Sequence, residues 1–170
     1  MEKLLKSKKY QNVSIDAVRR VYADATDRYP PKEADKQARA KLHQITGAFM
    51  TPEQIKKARA CLNDAVLGDA GALERALGYH ASTRERPNAR EMYARVFAVT
   101  GKPGLILDLA CGLNPLVLGD MGLSAEGYDI SVGETDIIND WAKAFGWDVK
   151  AAPADLITAR LPKGDLALFM

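Results

Sequence analysis

With 170 residues, 47% of them apolar, the chain has material for one ordinary domain, or for a small domain joined to part of a larger one. No apolar run reaches the roughly 18 residues that a membrane helix needs, and the charged start Met1-Glu2-Lys3-Leu4-Leu5-Lys6 lacks the apolar centre of a signal peptide. The net charge of +2 hides a basic front, +7 over residues 1–60, and an acidic remainder, −5 over residues 61–170. This asymmetry favours a polyanion as partner of the front half, the alternative being ordinary solvated helix faces. Cys61 and Cys111 read as unpaired thiols of a cytoplasmic protein, with neither a disulfide frame nor zinc spacing, so no metal is expected.

The first eighty residues read as helices. Ile15, Val18, Tyr22, Ala25 and Tyr29 recur at helical steps behind Ser14, a candidate N-cap, and Pro30-Pro31 ends that segment. A second helix is expected from about Lys32 to Phe49, with Ala34, Ala38, Leu42, Ile45 and Phe49 on one face. Thr51-Pro52-Glu53-Gln54 is a start signal, with Thr51 as cap and Pro52 in the first helical position. Gly68 to Gly71 breaks that third helix, and a shorter one runs to about Tyr79. Pro87 fits the first turn of a further helix carrying Met92, Tyr93, Val96 and Phe97.

From Gly101 the pattern changes. Leu105 to Leu109 is a short apolar strand containing Asp108, followed by the turn Ala110-Cys111-Gly112-Leu113 and a helix opened by Asn114-Pro115, with Asn114 as its cap. A second strand, Ala125 to Ile130, passes Asp129. A helix from about Thr135 to Phe145 leads to a third strand over 146–152, closed by Pro153. Leu166 to Met170 is a fourth. Alternating strands and helices predict a parallel sheet. The fourth run is apolar without alternation, the pattern of a strand buried on both faces. The expectation is therefore a longer protein of which these residues are the front portion, a complete four-stranded domain being the alternative.

The turn after the first strand has neither the three-glycine dinucleotide fingerprint nor the Gly-Lys-Ser/Thr of a phosphate loop. It suits a ligand with little negative charge whose backbone passes close to Gly112. Asp129, about twenty residues on, is placed to accept from ribose hydroxyls. Asp155, beyond the third strand, is placed for an exocyclic amine, or is a plain loop carboxylate. In His80-Ala81-Ser82-Thr83-Arg84-Glu85-Arg86 a guanidinium is available for a ligand carboxylate. Together these positions match S-adenosylmethionine binding in a class I methyltransferase.

Five segments appear in order: Ser7-Lys8-Lys9-Tyr10, Ala38 to His43, Gly47 to Glu53, His80 to Arg86 and Leu107 to Leu116, closed by Asp165 to Phe169. With these motifs the whole chain resembles the aminoglycoside-resistance 16S rRNA (guanine-N7) methyltransferases of the Arm/Rmt/Kgm type. The resemblance implies a helical rRNA-docking domain over residues 1–79, and over 80–170 the front of a class I, Rossmann-like methyltransferase domain, incomplete at the C-terminus. It implies S-adenosyl-L-methionine as cofactor and 16S rRNA in the assembled small ribosomal subunit as substrate. It further implies a monomer when full length, and drug resistance as the outcome.

By position, Arg86 matches the arginine that holds the cofactor carboxylate, Gly112 the glycine beneath the cofactor, Asp129 the ribose acid and Asp155 the acid near adenine. His80, Ser82, Asp108 and Ala110 belong to the same cofactor side. The cationic candidates for rRNA phosphates are Lys8, Lys9, Arg19, Arg20, Arg39, Lys41, Lys56, Lys57 and Arg59, taken as a set. No catalytic base is expected, because guanine N7 carries no proton. The 170 residues are not expected to methylate by themselves. The alternative function is a non-catalytic RNA- or ribosome-binding protein that keeps a remnant cofactor fold.

Overall fold

The computed structural model describes residues 1–47 and 50–169, with the side chains of Lys3 and Lys8 outside that description. Phe49, expected on a helix face, the end of the fourth strand at Met170, and the side chain of Lys8 thus lie outside the described residues.

The chain opens with α1 (Glu2–Leu5) and a short 3-10 turn, then α2 (Ile15–Arg28) and α3 (Pro31–Thr46). Ser14 caps α2 as expected, its hydroxyl accepting from the Ala17 amide at 3.3 Å. Pro31 does more than end a helix: it takes the first position of α3, where a missing N–H removes nothing the helix needs. Ala17, Val18, Val21 and Ala25 on α2 meet Ala34, Ala38 and Leu42 on α3, and Leu4, Tyr10 and Val13 close this small core.

α4 (Pro52–Val66) starts with a full capping box, in which Gln54 N donates to the Thr51 hydroxyl at 3.2 Å and Thr51 N donates to Gln54 Oε1 at 2.8 Å. α5 (Ala72–Leu77), α6 (Ala81–Arg84) and α7 (Ala89–Thr100) follow. Pro87 stands outside α7, whose N-cap is Asn88, so the placement of Pro87 in a first turn is corrected.

Four strands, β1 (Ile106–Leu109), β2 (Ala125–Asp129), β3 (Val149–Pro153) and β4 (Leu166–Phe169), form one parallel sheet in the order β3-β2-β1-β4. The register places Ile106 between Ala125 and Leu166. α8 (Asn114–Asp120) and α9 (Val132–Phe145) are the crossovers from β1 to β2 and from β2 to β3, and both pack on β2 and β3. The third strand begins at Val149 rather than 146, because Gly146, left-handed at φ 66°, stops α9 and turns the chain. β4 is half-buried on one face only: Leu166 and Leu168 point to the core while Ala167 and Phe169 are exposed.

The main core joins Ile106, Leu113, Leu116, Leu118, Ile137, Ile138 and Trp141 of the sheet layer to Ala58, Cys61, Leu73, Ala76 and Leu77 of α4 and α5. α4 and α5 thus share the core of the sheet, and only α1 to α3 with their connecting turns have one of their own. The expected 79/80 boundary runs through this common core. Strand order reverses at β1, where β2 leads away on one side and β4 lies on the other. In open parallel sheets that switch point, at the carboxyl ends of the strands, is where a crevice for ligands opens.

Candidate functional site

A cleft of about 450 Å³ opens there. Its floor is Ala110 after β1 together with Asp129 and Ile130 at the end of β2. His80 and Ser82 of the α6 turn, Glu134 of α9, and Ala154 to Ile157 after β3 form further walls. The last wall comes from far away in sequence: Arg20 of α2, and Lys41 and Ile45 of α3.

The β1–α8 turn is tightly wound. Ala110, at φ 54°, is the one non-glycine with positive φ among the described residues, and Gly112 follows at φ 50°. A left-handed alanine costs about 1–2 kcal/mol, so the surrounding contacts must fix this turn. They do: Gly112 N donates to Asp129 Oδ2 at 3.0 Å, and Ser131 N donates to Asp129 Oδ1 at 2.9 Å. Asp129 therefore ties the first turn to the second. Its burial pushes its carboxyl above the ordinary range, although both backbone donors pull the other way.

Gly112 does not itself line the cleft. The room beside it is filled by His80, whose two ring nitrogens would each stand 2.8 Å from a Cβ at position 112. His80 Nδ1 accepts from Ser82 N at 3.3 Å and contacts the Ser82 hydroxyl at 2.9 Å. Accepting at Nδ1 leaves the proton on Nε2, which faces Glu134 Oε2 at 3.5 Å. Glu134 is 1% exposed. Its Oε1 accepts from Met50 N at 2.9 Å, whereas Oε2 has no hydrogen-bond partner among the described residues.

Beneath the turn lies a second polar network. Asn114 was expected to cap its helix; instead Leu113 takes the cap position, with no side-chain capping bond. Asn114 is 3% exposed, its Nδ2 donates to Asp108 Oδ2 at 2.6 Å, and its Oδ1 accepts from the Tyr93 hydroxyl at 2.9 Å. The correction has a plain cause: a carboxylate buried at the end of β1 needs a donor, and Asn114 is the near one. Burial raises Asp108 to about 7, against the pull of Asn114 and the Arg86 charge. Arg86 Nε donates to Ser82 O at 3.0 Å. Arg86, Asp108 and Gly112 thus sit under or beside the cleft, while His80, Ser82, Ala110, Asp129 and Asp155 line it.

Of the cationic candidates, Lys9, Arg19, Lys41, Lys56, Lys57 and Arg59 are exposed and Arg39 is half-buried. Arg19 pairs with Asp16, Arg39 with Asp35, Lys57 with Glu53 and Arg59 with Asp136. Arg20 stands apart, turned into the cleft and bonded to Asp155 and Asp24. Sequence reasoning did not find Glu134, Ile45 or the cleft-side position of Arg20. Glu134 carried one available signal, an acid at helical spacing from the apolar Ile137, Ile138 and Trp141; the other two carried none.

A family model for ribosomal RNA methyltransferase (FmrO) matches residues 6–170. The chain belongs to this family. Among curated members, a 16S rRNA (guanine(1405)-N(7))-methyltransferase of Serratia marcescens is 40% identical over 169 residues, covering 97% of this chain and 64% of the relative. One from Micromonospora echinospora is 40% identical over 174 residues, covering 93% and 63%. The chain thus spans somewhat less than two thirds of the length of these family members. Among solved structures, the 16S rRNA methyltransferase RmtF in complex with S-adenosyl-L-homocysteine superposes with a TM-score of 0.87 at 46% identity, over 99% of this chain and 66% of that one. RmtB superposes at 0.87 with 39% identity, over 98% and 68%. The architecture is accordingly the class I methyltransferase fold of this family, with a helical region in front.

Proposed function

We propose that the chain is the cofactor-binding and helical front portion of an S-adenosyl-L-methionine-dependent methyltransferase acting on N7 of guanine 1405 in 16S rRNA, as its curated relatives are named. The observation that carries this reading is the tie between Gly112 and Asp129 at the floor of a cleft at the strand-order switch point. The small ribosomal subunit as the target particle, action as a monomer and a cytoplasmic setting belong to the same proposal. Among the described residues no helix is long and apolar enough to cross a membrane.

The residues present fit this cofactor. Asp129, Glu134 and Asp155 put three acids at the cleft against the cations Arg20 and Lys41, a balance that suits a ligand with net positive charge. Glu134 Oε2 makes no hydrogen bond among the described residues, its neighbour His80 Nε2 standing 3.5 Å away, and can accept a ligand donor. Asp129 would hold the ribose hydroxyls, Asp155 and the apolar Ile130, Leu156 and Ile157 the adenine, and Arg86 the carboxylate end. His80, Ser82, Ala110, Gly112 and Asp108 shape the turn between them. When bound, the cofactor supplies a methyl group activated by a sulfonium.

Guanine N7 is a nucleophile with no proton to lose, so the protein needs no general base. Its task is to hold the base in line and exclude water. A stacked guanine must leave its helix to reach such a cleft. The exposed cations of the helical region would grip phosphates in a salt-dependent, shape-reading manner. Calorimetric titration with S-adenosyl-L-homocysteine tests the reading. Saturable one-site binding that weakens in Asp129→Ala is expected. No binding would instead support a non-catalytic RNA-binding protein.

A further inference from the structure

Arg20 is separated from Asp155 by 135 residues, yet both line the cleft and Arg20 Nε donates directly to Asp155 Oδ2. The pair is largely withdrawn from solvent, with side-chain exposures of 19% and 4%. Arg20 also donates to Asp24 Oδ2 at 3.3 Å, one turn along α2, which fixes the guanidinium from its own helix. On the other side, Asp155 Oδ1 accepts from Ile157 N at 3.2 Å, and its backbone oxygen accepts from Thr158 N and Ala159 N. The carboxylate is thus oriented by a turn below and a guanidinium opposite. Solvated surface pairs contribute little because water screens them, whereas a pair this enclosed fixes the position of both groups.

α2 and its neighbours are pinned to the same rim elsewhere. Ser14 N donates to Ile130 O at 2.8 Å, Val132 N donates to Asn12 O at 3.0 Å, and Asn12 Oδ1 accepts from Gly133 N at the start of α9. Asn12 Nδ2 in turn donates to the Ser131 hydroxyl at 3.3 Å. The segment leading into α2 therefore holds the residues that directly follow Asp129, while α2 itself holds Asp155.

We infer that Arg20 is a cofactor-positioning residue supplied by the helical region: it holds the Asp155 carboxylate in the orientation that receives the adenine end of the cofactor. The inference rests on the cofactor reading above. It makes the helical region part of the cofactor site as well as the candidate docking surface for rRNA. Movement of α2 upon docking would then be felt at Asp155, and cofactor occupancy would be felt at α2, since such coupling is reciprocal.

The test is titration of the chain with S-adenosyl-L-homocysteine, with thermal melting to confirm that each variant is folded. Arg20→Gln, which keeps the stem and a polar end, should weaken binding about tenfold, and Arg20→Lys should recover part of the loss. Arg28→Ala, further along α2 and outside the cleft, should bind as the parent does. In a double-mutant cycle, Arg20→Gln combined with Asp155→Asn should bind no more weakly than Asp155→Asn alone, because Arg20 acts through Asp155. A folded Arg20→Gln with parental affinity, or losses that multiply in the double variant, would overturn the inference while leaving the cofactor reading intact. Failure of the parent chain to bind would remove both.

Discussion

The imidazole of His80 occupies the space that a Cβ on residue 112 would need, with both ring nitrogens 2.8 Å from where that atom would stand. Glycine at 112 is thus required twice, by its φ of 50° and by the ring beside it. The ring is held in turn by Ser82 on one nitrogen and Glu134 near the other. A residue expected from sequence to let a ligand pass close is first of all a seat for a histidine.

Gly112→Ala should therefore destabilise the fold by about 2–3 kcal/mol, from left-handed strain plus displacement of the ring. Chemical denaturation would measure it. Adding His80→Ala clears the space and should return part of the loss, leaving the backbone strain. If the double variant is no more stable than Gly112→Ala, the ring is not the obstacle.

Asp129 receives two backbone amides and faces the cleft. Asp129→Ala leaves both buried donors without their acceptor, a cost of about 1–3 kcal/mol each at most. Asp129→Asn retains an acceptor oxygen and should be milder in stability. Both should lower affinity for S-adenosyl-L-homocysteine by an order of magnitude or more, since an amide cannot replace a carboxylate toward two hydroxyl donors. Equal affinity of Asp129→Asn and the parent would take Asp129 out of the binding site.

Asp108 gives stability a definite pH slope. Its folded value of about 7 lies above the ordinary aspartate value of 3.8, so the native state retains a proton that the unfolded chain has released. Its contribution is fully present below about pH 4 and is lost as pH rises through 7. Asp129, also raised, adds to the slope with the same sign. Asp108→Asn should flatten the fall in Tm between pH 5 and pH 8 and should equal or exceed the parent in Tm at the upper end. An unchanged slope would show that Asp108 is charged throughout.

The exposed cations should behave as a set. Replacing Lys9, Arg19 and Lys56 with Glu should weaken binding to small ribosomal subunits. It should also lower the slope of log affinity against log salt by about one for each phosphate no longer neutralised. Filter binding at several salt concentrations reads this directly. A parental salt slope in the triple variant would place the RNA on another face.

Much of the architecture was legible because it depends on local chemistry. The Thr51 cap, the Ser14 cap and the parallel β-α alternation are each written within a few residues, and the structure contains them. The stripe expected on α2 holds only in part: Val18 and Ala25 are buried, whereas Ile15 and Tyr29 are exposed and Ala17 and Val21 complete the buried face. Boundaries shifted where one residue had two uses. Pro31 both stops one helix and starts the next, and Gly146 ends α9 and delays β3. Asn114 was misread because its side chain answers Asp108 and Tyr93, whose proximity exists only in the folded chain.

By itself, the sequence determined the class of fold, the family and the two acids at successive strand ends, because strand, turn and helix signals act over short distances and motif order needs no coordinates. Tertiary structure alone decided that Arg20 faces Asp155 rather than solvent, that Glu134 meets Met50 and His80, and that α4 and α5 join the core of the sheet. Burial, and the pairing of charges it demands, depends on which distant surfaces close over a group, and no local pattern carries that information.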